Sequence, residues 1–265
     1  MSYCPLAESD VHLWFLQNDL PGVEALCGES LDLLSPDERE RYRSLRHPAR
    51  ARQFLLGRLL MRRSLAAHID MTESEIKFVY GPNGKPELDA AVASNLAFSL
   101  SHARTASVVA VARVERIGVD LELLDRASSV LRIARRFFSN EELRHLHIED
   151  KYAEATAMAL WGLKESVVKA DGNTIWEGLS AVSLAFDGNR IRWLSPPPGG
   201  RDSEWLLMSG LYRTDCSLAL AIKREQPESQ PLDVIVHTMG PVPSSDTRLK
   251  IQYTSGEVTT RSSSG

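Results

Sequence analysis

The chain has 265 residues, of which 43% are hydrophobic and 25% charged, and its formal net charge is −4 at pH 7. This composition is ordinary for a globular protein with a sizeable core in one large domain or two small ones. A net acidic chain is not a general binder of polyanions. The three cysteines are far apart and form no CxxC pair, which argues against a disulfide framework or a zinc site.

Membrane and secretory signals are missing from the sequence. No apolar run approaches the ~20 residues that span a bilayer. The N-terminal segment carries Glu8 and Asp10 instead of a basic stretch followed by an apolar one. We therefore expect a cytoplasmic protein that does not enter a membrane.

The first half of the chain is predicted to open with a strand at Val11–Leu16 and to contain a long helix at Ala49–His68. Between them, Ser35 and Glu38 have the spacing of a capping box, in which the hydroxyl accepts from a free helix N–H and the glutamate reaches back. Short strands are predicted around a turn at Gly81–Gly84.

The second half repeats this order at an offset of roughly 105 residues. A strand at Ile117–Glu122 is followed by a capping-box pair, Ser139 and Glu142, by a helix at Ala153–Ala170 and by a turn at Asp187–Asn189. Such self-similarity indicates duplication, although chance repetition of common caps and apolar strands is the alternative. Strands mixed with helices in this way predict an α+β fold.

The composition divides the chain into three parts. We predict an N-terminal lobe at 1–112, a C-terminal lobe at 113–225 and a disordered tail at 226–265. The tail is rich in Pro, Ser, Thr and Gly, which form cores poorly. Within it, Asp233–Met239 is a candidate edge strand.

Two acidic motifs suggest a metal site. Asp120 and Glu122 are two residues apart in the predicted strand, so both carboxylates project from one face, roughly 6–7 Å apart. Glu165 and Lys169 are one turn apart on the predicted helix. Carboxylates from two elements beside a lysine suit Mg²⁺ next to a phosphate. The alternative is a solvated strand edge and an ordinary helical ion pair.

Three runs in this region resemble a known family. Gly118–Glu122, Phe138–Glu142 and Trp161–Lys169 have the order and spacing of the 4'-phosphopantetheinyl transferases, and the length resembles the larger type that activates surfactin synthetase. The resemblance covers roughly residues 10–224. It implies two similar α/β lobes related by a pseudo-twofold, with the active site between them.

The resemblance also implies the reaction, which is transfer of 4'-phosphopantetheine from coenzyme A to a serine of an apo acyl or peptidyl carrier protein. Adenosine 3',5'-bisphosphate is released. By this resemblance Asp120, Glu122 and Glu165 hold Mg²⁺, or Mn²⁺ in its place, and Glu165 and Lys169 are catalytic. The residues that it implies for coenzyme A are Arg41, Arg52, Lys85, Ser101, His102 and Lys169.

The match to the family is incomplete in the basic region. Glu38 stands where the family type often has lysine, and Gln53 stands at a basic position beside Arg52. Lys164 and Glu142 match the family motifs, but the sequence leaves their roles open; for Glu142 a capping box is an equal alternative.

The resemblance also implies that the carrier protein is acidic and that the second lobe supplies much of its docking surface; a basic surface there would steer the carrier. Candidates for the docking surface are Arg132, Arg135 and Arg136 with Leu131 and Phe137, and the segment Gly172–Leu179 with Trp176. Because one chain supplies both halves of the cleft, we expect a monomer. The sequence leaves open which carrier, from fatty-acid, polyketide or nonribosomal-peptide synthesis, is modified.

Other functional classes fit less well. A nucleic-acid binder acting through the arginine-rich segment Arg39–Arg63 would leave the acidic residues unexplained, because carboxylates repel phosphates unless a metal intervenes. A different Mg²⁺ phosphotransferase would need a phosphate loop, and no Walker-type motif is present. A catalytically inactive relative that only binds carrier proteins stays open.

Overall fold

The computed structural model describes residues 4, 6–19, 21–92, 95–147, 149–198, 201–224, 231–239 and 249–262, and the side chains of 175–177 lie outside this description. None of the helices in these ranges combines the length and the apolar composition needed to cross a bilayer.

The first half contains five strands and three helices within the described ranges. They are β1 (Asp10–Gln17), α1 (Val23–Leu33), α2 (Pro36–Ser44), α3 (Pro48–Ala66), β2 (Phe78–Tyr80), β3 (Pro86–Leu88), β4 (Ala97–His102) and β5 (Ala106–Ala112). The predicted strand, long helix and turn of this half are confirmed. So is the capping box, in which Ser35 Oγ accepts from the Glu38 N–H and Glu38 accepts from the Ser35 N–H.

The second half repeats this plan with one additional helix. Its elements are β6 (Arg116–Leu123), α4 (Ala127–Phe137), α5 (Asn140–Leu146), α6 (Ala153–Asp171), α7 (Ile175–Ala181), β7 (Ser183–Asp187), β8 (Arg190–Ser195), β9 (Trp205–Tyr212) and β10 (Cys216–Lys223). The second capping box forms between Ser139 and Glu142. The α+β fold with two similar lobes is thus the observed architecture.

Two large sheets carry the repeat. In the first, β1 pairs with β5 and β5 with β4, all antiparallel. In the second, β6, β10 and β9 pair in the same order and the same sense. The matching triplets indicate that each half builds one sheet.

The segment after β10 corrects the prediction of a disordered tail. It forms β11 (Leu232–Met239), β12 (Leu249–Thr254) and β13 (Val258–Ser262). β11 is not an edge strand, since it lies between β1 and β13 in the first sheet, whereas β12 lies between β9 and β8 in the second. The segment folds because its apolar residues alternate along β11 and fill the core. The remaining tail residues, 226–230, 240–248 and 263–265, lie outside the described ranges.

The core has three layers of apolar side chains. The central layer lies between the sheets, where Phe15 of β1 stacks on Tyr212 of β9 with ring centroids 3.7 Å apart. An outer layer joins the first sheet to α1 and α3, and another joins the second sheet to α4 and α6. Sheets covered on both faces need near-continuous apolar strands, which explains why every residue of β5 is buried.

The two sheets meet at the edge strands β4 and β6. Ser99 Oγ accepts a hydrogen bond from the Val119 N–H, and Ser101 Oγ accepts one from the Leu121 N–H, both at 3.1 Å. These side-chain bonds fix the register between the lobes. They also bring the end of β4 beside Asp120.

Candidate active site

The three predicted acidic residues meet where α6 crosses β6. One carboxylate oxygen each from Asp120, Glu122 and Glu165 can be chosen so that all lie within 4.8 Å of one another. Gly118 permits the close crossing, since a Cβ there would lie 1.8 Å from the Ser166 carbonyl oxygen on α6. The glycine in the first motif is therefore what allows the strand and the helix to share a site.

Asp120 is the centre of this cluster and is only 2% exposed. Its Oδ1 accepts from Lys169 Nζ at 2.6 Å and from Ser101 Oγ at 3.2 Å. Its Oδ2 is buried and receives no hydrogen bond from any described residue. A buried carboxylate oxygen needs a partner, and the carboxylates of Glu122 and Glu165, which belong to the same cluster, cannot donate to it while they are ionised. The site therefore calls for a proton or a cation.

The acidic groups raise one another's proton affinity. Burial, followed by the charge of Asp120, raises the pKa of Glu165 to about 8, although Lys169 opposes the shift. Burial and Asp120 also raise the pKa of Glu122, against the effect of Arg126. This excess of negative charge is what a divalent ion would neutralise.

Lys169 is the predicted cation of the site. Its Nζ contacts Asp120, donates to Ser101 Oγ at 2.9 Å and lies 3.8 Å from Glu165 Oε2. Burial lowers the pKa of Lys169, but the surrounding carboxylates, led by Asp120, outweigh it, and the net shift is upward. Lys169 therefore stays charged in contact with the acidic cluster.

Arg126 is a functional candidate that the sequence reasoning missed. Its Nη1 donates to both carboxylate oxygens of Glu122, at 2.5 and 2.6 Å. The four-residue spacing was a usable signal, but it implies contact only within a helix. Here Glu122 ends a strand, and a 3-10 turn at 124–126 brings Arg126 back over it.

Ser101 and His102, at the end of β4, lie beside the cluster. Ser101 is buried and bonded to Asp120 and Lys169 as described above. His102 is exposed and lines a cavity of about 910 Å³ together with Glu122, Arg126 and Arg52. Desolvation, then the nearby Lys169 charge, lowers the pKa of His102.

Lys85 lies on the loop between β2 and β3. Its Nζ donates to the Ala170 carbonyl at 2.9 Å, and Asn83 Nδ2 donates to the Gly172 carbonyl at 2.8 Å. The hairpin of the first lobe thus holds the end of α6. Lys85 also lines a small cavity, of about 190 Å³, with Lys169.

The two predicted arginines differ in position. Arg52 is exposed, lines the large cavity and forms an ion pair with Glu24. Arg41 is exposed on α2 and lines neither the large cavity nor the small one. The structure brings Arg52 towards the acidic cluster, but it does not bring Arg41 there.

Glu142 and Lys164, whose roles the sequence left open, form a fully buried ion pair. Lys164 Nζ contacts the two Glu142 oxygens at 2.9 and 2.7 Å and the Phe137 carbonyl at 3.2 Å. Glu142 also accepts from the Leu184 N–H. Both residues thus hold the second lobe together rather than facing the site.

In the first lobe, Glu38 occupies the position that corresponds to Glu142, and it also forms a buried ion pair. It pairs with Arg62, whose Nη2 lies 2.6 Å from Glu38 Oε2, and this explains the departure from the family pattern at position 38. The Glu38 carboxylate at the start of α2 both completes the capping box with Ser35 and pairs with the buried Arg62.

The predicted docking arginines are on the surface of α4. Arg132, Arg135 and Arg136 are exposed, whereas Phe137 is buried in the core. Ile133, which the sequence reasoning missed, is 40% exposed among them. The side chain of Trp176 lies outside the described residues.

Comparison with known proteins agrees with this architecture. Residues 25–114 match the model of the 4'-phosphopantetheinyl transferase N-terminal family, and residues 116–221 match that of the 4'-phosphopantetheinyl transferase superfamily. The 4'-phosphopantetheinyl transferase HetI of Nostoc sp. is 30% identical over 219 residues, which is 82% of this chain and 89% of HetI. The 4'-phosphopantetheinyl transferase Sfp of Bacillus subtilis is 30% identical over 163 residues, 61% of this chain and 67% of Sfp.

The chain therefore belongs to the 4'-phosphopantetheinyl transferase superfamily, whose members use coenzyme A and act on carrier proteins. Because both halves match, it is of the larger, two-lobed type that Sfp represents.

Proposed function

We propose that this chain transfers the 4'-phosphopantetheine group of coenzyme A to a serine of an apo acyl or peptidyl carrier protein, using a divalent cation held by Asp120, Glu122 and Glu165. The observation that carries the proposal is the meeting of these carboxylates within 4.8 Å of one another, together with the buried Oδ2 of Asp120, which has no hydrogen-bond partner among the described residues. It is joined by the family membership of the whole two-lobed chain.

The donor set fits Mg²⁺, which prefers oxygen ligands and commonly binds through a few carboxylates plus a substrate phosphate; Mn²⁺ takes similar ligands. When bound, the ion polarises phosphoryl oxygens and offsets charge on the pyrophosphate. Glu122 differs from Asp120 and Glu165, which contact Lys169, because Arg126 holds both of its oxygens. Arg126 must therefore move aside or share Glu122 when the site is loaded.

Glu165 has two oxygens and two tasks in this scheme. One of its oxygens would hold the ion, and the other would accept or orient the hydroxyl proton of the carrier serine as that hydroxyl attacks the pyrophosphate. A proton acceptor must lie within about 2.6–3.2 Å of the donor or act through one water. The new bond joins the serine oxygen to the phosphorus that carries the pantetheine, and the bond to adenosine 3',5'-bisphosphate breaks.

Lys169 and the end of β4 would hold the phosphates. Phosphoryl transfer depends mainly on alignment and on neutralisation of charge. Lys169 is charged, contacts Asp120 and lines the small cavity with Lys85. His102 and Arg52 line the large cavity, so we assign them to coenzyme A. Ser101 acts by positioning Asp120 and Lys169, and Arg41 is the weakest of the assignments because it lines neither cavity.

The experiment is to incubate the protein with coenzyme A, Mg²⁺ and a panel of apo-carrier proteins and to weigh the carriers by intact mass. We expect a gain of one phosphopantetheine, which disappears in Asp120→Asn and in excess EDTA. Asp125→Asn is the matched control, because Asp125 lines the large cavity beside Glu122 without belonging to the acidic cluster, and it should retain activity. Equal loss in both variants would contradict the assigned metal site.

The alternative is an inactive relative that binds carriers without modifying them. It predicts no mass gain on any carrier while a complex with an apo-carrier still forms. The panel should include fatty-acid, polyketide and nonribosomal-peptide carriers, because no described contact selects among them. We also propose that a monomer is the active form, since one chain supplies both β4 and β6; activity that vanishes on dilution would contradict this.

A further inference from the structure

A second group of metal-ligating side chains lies in the first lobe, on other elements than the acidic cluster. Cys4 precedes β1, His12 lies in β1 and His68 follows α3. One ligand atom from each can be chosen so that all three lie within 4.8 Å of one another. His12 and His68 are 1% and 2% exposed and Cys4 is half-exposed, so protein encloses the two histidines and the group opens towards solvent only at Cys4.

The hydrogen bonds of His68 fix its tautomer. Trp14 Nε1 donates to His68 Nε2 at 3.2 Å, so the ring proton is on Nδ1, which donates to the Cys4 carbonyl at 2.8 Å. The ring is therefore neutral. Metal-bound histidines usually donate their second ring nitrogen to such a carbonyl or carboxylate. The contact with Cys4 O would therefore be the outer-shell bond of a ligand that binds through Nε2, where the ion would take the place of the Trp14 N–H.

His12 is less well satisfied. Its Nδ1 lies 2.7 Å from Nε2 of His237, a buried residue of β11, and 3.9 Å from Cys4 Sγ. Its Nε2 has no hydrogen-bond partner among the described residues and lies 3.9 Å from Asp10 Oδ2, too far for a hydrogen bond. One nitrogen thus faces Cys4 and His237, and the second lies on the side of Asp10, whose carboxylate would have to approach by about 1 Å to complete a carboxylate–histidine–metal relay.

We propose that Cys4, His12 and His68 bind a divalent ion of the zinc class, with His237 supplying the fourth ligand. A thiolate and imidazoles are the donors that Zn²⁺ takes in closed tetrahedral sites. The thiol of Cys4 loses its proton to solvent when the ion binds, while the proton between His12 and His237 moves to the second nitrogen of the ring that carries it, so that both rings bind in the neutral form. Asp10, which is buried nearby, offsets the remaining positive charge.

The protonation state of the histidines suits this role. Burial, then the neighbouring imidazoles, lowers the pKa of His12 to about 3, and burial and His68 lower that of His237 to about 4. Both rings are neutral at pH 7, as metal ligands must be. Cysteine spacing argued against a zinc site in the sequence. The four ligands come instead from four separate places in the chain, so no motif could reveal them.

Bound metal would join the N-terminal segment, β1, the end of α3 and β11. Sites of this kind contribute to folding free energy rather than to catalysis. The proposal is independent of the acidic cluster, whose oxygen ligands favour a harder ion.

The test is a titration of metal-stripped protein with Zn²⁺ against a chromophoric chelator, in excess Mg²⁺. We expect about one Zn²⁺ per chain in the wild type and also in Asp120→Asn, which disables the acidic cluster. His68→Gln should weaken Zn²⁺ binding by more than the roughly 10–100-fold that loss of an outer-shell partner causes. His145→Gln, which removes an exposed histidine on α5, should leave binding unchanged. Absence of Zn²⁺ binding in Asp120→Asn would overturn the proposal.

Co²⁺ absorption provides a second measurement that does not depend on the histidine variants, should these fold poorly. Thiolate-bound Co²⁺ shows a near-ultraviolet charge-transfer band, which Cys4→Ser should abolish while Cys27→Ser and Cys216→Ser keep it. Cys4 is half-exposed and outside regular structure, so its substitution is expected to preserve the fold. A band that persists in Cys4→Ser would also overturn the proposal.

Discussion

At the scale of single residues, the acidic cluster shows how burial and like charge act together. Three carboxylates share a small volume with one lysine and one arginine in contact. The proton affinity of Glu165 rises because burial removes water from its carboxylate and because the charges of Asp120 and Glu122 outweigh that of Lys169. The same excess charge would favour a divalent cation.

This predicts a specific pH dependence of stability in the absence of metal. Because the pKa of Glu165 in the folded protein is about 8, above its ordinary value of 4.5, the folded state holds this proton more tightly than the unfolded state does. The stabilisation that this proton gives to the folded state is fully present below pH 4.5 and is lost as pH rises from about 4.5 to 8. In EDTA, the free energy of unfolding should fall across that range by at most about 1.4 kcal/mol per pH unit.

Urea unfolding at several pH values measures this effect. Glu165→Gln has no titrating group at this position, so its free energy of unfolding should depend less steeply on pH. In the wild type, saturating Mg²⁺ should remove the same pH dependence by holding the Glu165 carboxylate ionised. An unchanged slope in Glu165→Gln would assign the effect to another group.

The buried pair Lys164–Glu142 gives a second prediction. Lys164→Met leaves the Glu142 carboxylate buried without its cation, and loss of one partner in such a pair costs about 3–5 kcal/mol. Changing Glu142 to Gln as well removes the stranded charge, so the double variant should recover much of the loss. A double-mutant cycle from urea unfolding measures this, and strictly additive losses would show that the pair is not coupled.

The sequence predicted some of these residues and missed others for physical reasons. Asp120, Glu122 and Glu165 were predicted because regular periodicity fixes the direction of side chains within one strand or helix. The bond of Ser101 to Asp120, and that of Arg126 to Glu122, depend on how β4 approaches β6 and on an irregular turn. No pattern within one element reports such contacts.

At the scale of elements, the site depends on how closely α6 crosses β6. The third prediction is that Gly118→Ala destabilises the protein by roughly 1–3 kcal/mol, since the added methyl would overlap the backbone of α6. Displacement of α6 by about 1 Å would also separate Glu165 from Asp120 and lower turnover by up to about 100-fold.

Gly28→Ala is the matched control. It lies in α1 with nothing within 4 Å of a new Cβ, so it should be neutral or stabilise by about 0.5–1 kcal/mol. Thermal unfolding and carrier modification measure both effects. If Gly118→Ala matched this control, the crossing would not require glycine.

Element boundaries were largely predictable because caps and periodicity are local. The helix predicted at 153–170 spans Ala153–Asp171, and both capping boxes form as the Ser-x-x-Glu spacing indicated. The assignment of 226–265 as disordered was wrong for β11 to β13. Composition averaged over forty residues hid the alternation of Leu232, Val234 and Val236, which face the central core.

At the scale of the whole molecule, the C-terminal strands contribute to both sheets, since β11 and β13 lie in the first and β12 lies in the second. The fourth prediction is that Val234→Ala lowers the free energy of unfolding by about 2 kcal/mol, because Val234 is fully buried between the sheets. Thr260→Ala, at the paired position on β13, is exposed and should change it by no more than about 0.5 kcal/mol.

A single cooperative transition in urea, shifted by Val234→Ala, would show that the C-terminal strands unfold with the body of the protein. Equal and small effects of the two variants would mean that β11 contributes little to the fold.

The pairing of β11 with β1 also sets an order of events during synthesis. Asp10 of β1 pairs with Asp233 of β11, so a ribosome makes the two partners more than 200 residues apart. Contacts so distant in sequence form late and slowly. Until β11 arrives, the nascent first lobe presents the bare edge of β1, a surface that invites pairing with other chains. After β1 has been made and before β11 has been made, the growing chain is most exposed to aggregation and most in need of a chaperone.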